Sequence, residues 1–166
     1  MIYIAAGIRS GTRIKQNYRA SGWLEIANAL PAGMRLVALD SAPRPPLGAH
    51  GPSALDDAFY DHPNVLDLTG ETESIHHAAA LIERCSAFVG VDSALLHVAH
   101  ALGKPVQVLC AAAPMEARLP IVGQGDGFEG GADCFPCQYR TPCPERSHCL
   151  DWVKGEWVAK KIGEMV

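Results

Sequence analysis

A doubly wound, parallel α/β sheet is the fold class this sequence predicts, on three observations. Short, almost wholly apolar runs alternate with amphipathic stretches of helical period over the first two thirds of the chain. Such runs are apolar on both faces, as strands covered on both sides must be, which points to βαβ units. Quantity is the third: 166 residues, 48% of them apolar and 19% charged, supply one well-buried core and exclude disorder. One domain over 1–166 is the expected count.

Ile2 to Ala6 is the first strand, closed at Gly7. A polar stretch with Ser10, Thr12, Arg13 and Lys15 follows. Trp23, Ile26, Ala27 and Leu30 then recur at helical spacing, in a helix opened by Ser21 and stopped by Pro31 and Gly33. Arg35 to Leu39 is the second strand. Ser41 to Pro63 is rich in proline and glycine and reads as a long loop with one helical turn near Ala54 to Phe59. Asn64 to Leu68 is the third strand, closed by Thr69 and Gly70. Ile75, Ala78, Ala79 and Ile82 make a helix, Ala87 to Val91 a fourth strand, and Leu95, Val98, Ala99 and Leu102 another helix. Val106 to Cys110 is the fifth strand. Gly123 to Gly131 reads as a glycine-rich loop that leads into a cysteine-rich subregion (123–150) and a terminal helix over about 151–165.

The commonest order for such a Rossmann-like sheet, 3-2-1-4-5, sets strand 1 beside strand 4. Ligands bind there, beyond the carboxyl ends of the strands. Two segments are thereby nominated: the loop Gly7 to Lys15 and the turn Asp92 to His97. Asp92 or Ser93 sits at the N-cap of a helix whose first amides have no partner within it, so an anion is stabilised there. His97 lies one turn on, on the face of Ser93. A cation at Lys15 facing that helix end is a clamp for a pyrophosphate. The first strand is followed by neither G-x-G-x-x-G nor G-x-x-x-x-G-K-[ST], so no organic cofactor is expected.

The exclusions are equally physical. A net charge of -4 offers no basic surface for nucleic acid. No apolar run is long enough to span a membrane, and the start lacks a secretory signal, so a cytoplasmic location with reduced thiols is expected. Cys134, Cys137, Cys143 and Cys149 form C-x2-C-x5-C-x5-C. Four thiolates suit a structural zinc or iron ion, with free thiols or disulfides as the alternatives. Cys85 and Cys110 lie on apolar elements and read as buried. His76 and His77 read as solvated, and Trp152 and Trp157 as packing residues of the last helix.

The residues Leu66-Asp-Leu-Thr-Gly-Glu-Thr72, Ala78 to Ile82 and Phe88 to Pro105, with Val91-Asp-Ser-Ala-Leu-Leu-His97 at their centre, resemble the C-terminal half of glycosyltransferase family 9. That family includes the heptosyltransferases of lipopolysaccharide core assembly. Lys15-Gln16, Trp23 and Leu30 fit its front, and the likeness covers about residues 2–150. The resemblance implies one half of a two-domain GT-B glycosyltransferase, the half that binds a nucleotide sugar such as ADP-heptose. It implies that Lys15, with Ser10 or Thr12, meets the diphosphate. Asp92, Ser93 and the amides of Ala94 and Leu95 would cradle the phosphates beside His97. Thr69, Gly70, Glu71 and Thr72 would lie near the nucleoside. Some relatives, including iron-containing autotransporter heptosyltransferases, carry similar cysteine clusters.

Departures from the pattern are Ala94 where glycine is common, Ala111-Ala-Ala-Pro114 for a Gly-Pro-Thr type turn, and Glu71 for lysine. Family members are considerably longer, and a separate N-terminal domain supplies their saccharide-acceptor surface and catalytic carboxylate. No catalytic base is assigned in this chain. Its terminal helix would cross to that domain in the family's architecture, which would leave apolar surface exposed. The resulting expectation is the donor-binding domain of a heptose-like transferase. The alternatives are a nucleotide-sugar-binding module without transfer activity and a metal-stapled interaction module.

Overall fold

Six parallel strands form one sheet in the order β3-β2-β1-β4-β5-β6 in the computed structural model, which describes residues 1–8, 18–43, 57–119, 125–137 and 149–166. The strands are β1 (Ile2–Gly7), β2 (Met34–Leu39), β3 (Val65–Asp67), β4 (Ala87–Val91), β5 (Val106–Cys110) and β6 (Gly125–Glu129). The helices are α1 (Ala20–Ala29), α2 (Asp57–Tyr60), α3 (Ile75–Glu83), α4 (Ala94–Ala101) and α5 (Gly155–Met165), with a 3-10 turn over Met115–Ala117. The predicted doubly wound, Rossmann-like order is present, extended by one strand.

Alternation along each strand divides the core into two layers. Ile4, Ala6, Leu36, Ala38, Val89 and Val91 face α1 and α5, where Trp23, Ile26, Val158 and Ile162 are wholly buried. Ala5, Val37, Leu39, Phe88, Val108 and Cys110 face the opposite layer, where Ile82 of α3 and Leu96 and Ala99 of α4 cover them. Burying one large side chain of this kind contributes roughly 2–3 kcal/mol, so both layers are needed to hold the sheet.

A polar junction joins α1 to α5. Glu25 accepts from Arg19 Nη1 and Nη2 (2.5 and 2.9 Å) and from the Gly155 amide (2.8 Å), where α5 begins. Tyr18 Oη and Arg19 Nη2 both donate to the Val153 carbonyl (2.7 and 3.0 Å). Tyr18 and Arg19, which precede α1, are thereby tied to the segment that leads into α5.

Four details differ from the sequence reading. The Gly125–Glu129 segment is a strand, not a loop: β5 imposes the pairing, from Val106↔Gly125 to Cys110↔Glu129, on residues of low strand propensity. Helix α1 starts at Ala20, with Arg19 and not Ser21 at its cap. Helix α5 starts at Gly155, so Trp152 precedes it. Trp152 and Trp157 are 48% and 39% exposed, and Trp152 packs between Trp157 and Phe128 of β6, with ring centroids 6.2 and 6.0 Å away. Cys85 and Cys110 are buried and His76 and His77 exposed, as their positions predict.

Candidate functional site

The carboxyl ends of β1 and β4 lie side by side, with Gly7 opposite Gly90. Both glycines are sterically required. A Cβ on Gly7 would come within 2.7 Å of the Phe88 ring, and one on Gly90 within 2.8 Å of the Gly7 carbonyl oxygen. Their absent side chains let Phe88 fill the seam and bring Leu95, in the first turn of α4, against the end of β1. The switch point is thus closed by α4 from one side. The loop from β1 leaves beside it, with Ile8 buried and its amide on the Leu39 carbonyl. Ser10, Thr12 and Lys15 lie in that loop, outside the described residues.

Ser93 is the N-cap residue of α4, with extended backbone, yet its hydroxyl caps no amide. Its Oγ is buried and has no hydrogen-bond partner among the described residues. By contrast Ser74, in the same position on α3, accepts from the His77 amide at 3.2 Å. The Leu96 amide already donates to the Ser93 carbonyl, which leaves Ala94 and Leu95 as the first-turn amides without an intrahelical acceptor. Ala94 and His97 are exposed on the same end of the helix. This end therefore offers two amides and a buried hydroxyl to one incoming group, with His97 exposed one turn on.

Asp92, next to this cap, is engaged by a residue the sequence reading did not select. Arg118 Nε lies 2.8 Å from Asp92 Oδ2, close enough for an ion pair although not aligned as a hydrogen bond. Arg118 follows the 3-10 turn, whose Met115 amide donates to Glu129 Oε1 at 2.5 Å. The edge strand β6 thus pins the turn that carries Arg118. Burial, with Asp92 and Glu129 nearby, pushes the Cys110 thiol at the end of β5 up to about 12, so it stays protonated at neutral pH. No sequence signal pairs Asp92 with Arg118, because only the order of β4, β5 and β6 brings them together.

The Thr69–Thr72 segment leaves β3 on the same edge of the sheet, three strand spacings from β4, or roughly 14 Å. Thr69 donates its hydroxyl to Asp67 Oδ1 at 2.7 Å and is itself buried. Gly70 has φ +77, and its amide is held by the Asp40 carbonyl at 2.9 Å. A Cβ there would meet the Pro43 backbone at 2.7 Å. The segment therefore presents Gly70 and Glu71 at the surface, with Thr72 half-buried.

Of the four clustered cysteines, Cys134, Cys137 and Cys149 are described and Cys143 lies outside the described residues. Among the described residues no three metal-ligating side chains converge, so these three alone do not form the predicted site. They are nonetheless neighbours in space. Phe135, inside the C-x2-C knuckle, and the Cβ of Cys149 both border Gly130, and the Gly131 amide donates to the Cys149 carbonyl at 2.9 Å. Cys134 and Cys137 are free thiols.

The description glycosyltransferase family 9 (heptosyltransferase) matches residues 9–145, most of the chain, including the end of β4 and the start of α4. The chain belongs to glycosyltransferase family 9. Among curated proteins no sequence matches. Solved structures do. E. coli ADP-heptose lipopolysaccharide heptosyltransferase II aligns with 99% of this chain over 46% of its own, at 20% identity and a TM-score of 0.68. The iron-containing dodecameric glycosyltransferase TibC of enterotoxigenic E. coli aligns with 99% over 46%, at 18% identity and 0.71. E. coli heptosyltransferase WaaC, solved with ADP-2-deoxy-2-fluoro heptose, aligns with 99% over 43%, at 20% identity and 0.64. This family 9 chain spans a little under half the length of those proteins and shares the fold of that part. No helix among its described residues is long and apolar enough to cross a membrane.

Proposed function

We propose that this family 9 chain is the donor-binding domain of a heptosyltransferase and holds the diphosphate of an ADP-heptose-like nucleotide sugar at the start of α4. The observation that carries the reading is Ser93. A buried hydroxyl without a partner costs free energy, and here it stands beside two unengaged amides at the switch point where such sheets take ligands. A phosphate oxygen satisfies all three. TibC has been solved with ADP-D-β-D-heptose, which supports the choice of donor.

Transfer breaks the bond between the sugar's anomeric carbon and the diphosphate oxygen, and the electron pair leaves on ADP. Negative charge grows on the diphosphate as the bond lengthens. Fixed N–H dipoles, the Ser93 hydroxyl and a Lys15 ammonium then stabilise the transition state more than the bound donor. Asp92 contributes through its backbone, His97 lies alongside, and Ser10 or Thr12 assists Lys15. Thr69, Gly70, Glu71 and Thr72 border the nucleoside through their backbone and exposed side chains. A separate acceptor domain supplies the saccharide and the base that takes its hydroxyl proton. The reading sets the protein in the cytoplasm, where cysteines stay reduced and able to ligate a metal.

The cysteine cluster completes the reading. A zinc or iron ion gathers Cys134, Cys137, Cys143 and Cys149 and braces the chain beyond β6, a structural role supported by the C-x2-C spacing and by the iron in TibC.

Titration calorimetry with ADP tests the donor site. Wild type binds, and Lys15→Ala weakens ADP by about tenfold or more, as loss of one charge-assisted contact requires. Unchanged affinity in that variant moves the diphosphate away from the loop. Binding of ADP-heptose with no transfer when an acceptor domain is present identifies a binding module instead of an enzyme half.

A further inference from the structure

Resting on the proposal that a diphosphate docks at α4, a second problem arises from charge. Asp92 immediately precedes the N-cap, with a side chain only 12% exposed. A bare carboxylate in that position opposes any anion approaching the amides of Ala94 and Leu95, and partial burial strengthens the repulsion. The helix end by itself is therefore a poor anion site.

Arg118 removes the obstacle. Its Nε stands 2.8 Å from Asp92 Oδ2. The side chain is 32% exposed, so the pair sits at the rim of the site and not in the core. The residue is also held in place. Its amide donates to the Met115 carbonyl at 2.9 Å, and Met115 is anchored through its own amide to Glu129. A lysine could supply the charge there but not the rigid planar fork.

We infer that Arg118 is a positioning residue for donor binding: it neutralises Asp92, so that the start of α4 accepts a diphosphate. The chemistry makes a sharp demand. If Arg118 acts through the carboxylate, removing the carboxylate makes Arg118 dispensable.

Calorimetry with ADP on four proteins tests this, with thermal unfolding run alongside to establish that each is folded. Arg118→Ala weakens ADP about tenfold relative to wild type, and Arg118→Lys recovers part of the loss. Asp92→Asn combined with Arg118→Ala binds ADP several-fold more tightly than Arg118→Ala alone. A merely structural Arg118 would not give that rescue, because the double variant lacks the ion pair just as the single one does. Wild-type affinity in Arg118→Ala, or no gain from adding Asp92→Asn, overturns the inference while the donor site stands. Failure of wild type to bind ADP at all overturns both.

Discussion

Replacing Ser93 with alanine has opposite consequences for the free and the ligand-bound protein. An N-cap serine normally accepts an amide hydrogen, and its loss costs about 1 kcal/mol. Ser93 makes no such bond, so that cost does not apply. Its Oγ is instead buried without a partner among the described residues, and an orphaned buried hydroxyl costs roughly 1–3 kcal/mol. Taking the lower end, because the residue as a whole is only half-buried, Ser93→Ala stabilises the free protein by about 1 kcal/mol. For a chain of 166 residues that raises the melting temperature by roughly 2–4 °C. The same substitution removes a hydroxyl that donates to an anionic phosphate, and ADP affinity falls about tenfold. Differential scanning fluorimetry without and with saturating ADP reads both effects in one experiment. A variant that melts lower than wild type in the absence of ligand would show that the hydroxyl is satisfied in the free protein. The argument that Ser93 waits for a phosphate would then fail.

Two further outcomes follow from polar groups elsewhere. Arg19 holds the Glu25 carboxyl below the usual glutamate range, with the Gly155 amide assisting against the opposing effect of burial. A carboxyl depressed on folding stabilises the protein above its unfolded value, about 4.3, and that contribution is lost as pH falls through the folded value. Because the side chain is 42% exposed, Glu25→Gln should cost only about 1 kcal/mol, or roughly 2–4 °C at pH 7. The difference from wild type should vanish in acid, and an unchanged gap at pH 3 refutes the role assigned to the ion pair. For the cysteine cluster, elemental analysis of protein purified without added metal should find about one zinc or iron per chain. Folded, metal-free protein removes that part of the reading.

Much of the fold was legible because it is written in local periodicity. Ile2 to Ala6, Ala87 to Val91 and Val106 to Cys110 are apolar at every or nearly every position, which only a doubly covered parallel strand tolerates. The strand order then put the α4 N-terminus and the end of β1 on one edge, where the structure has them. The ends of elements were less legible. Arg19 and Gly155 begin helices through contacts with Glu25, Val153 and one another's neighbours, far apart in the chain.

From residue order alone came the alternation of elements, the switch point and the identity of Ser93 and His97 at its rim. Three matters belonged to the folded chain. Strand β6 exists because β5 offers an unpaired edge, and a Gly-Asp-Gly-Phe-Glu segment has little tendency to extend without it. Trp157 stayed half-exposed because α5 turns its Val158, Ala159 and Ile162 face to α1 and the sheet. Arg118 meets Asp92 across two strands, and a pairing between residues so distant in sequence leaves no periodic trace. Periodicity reports which face of an element is buried, whereas the chemistry of a site depends on which separate elements the sheet sets side by side.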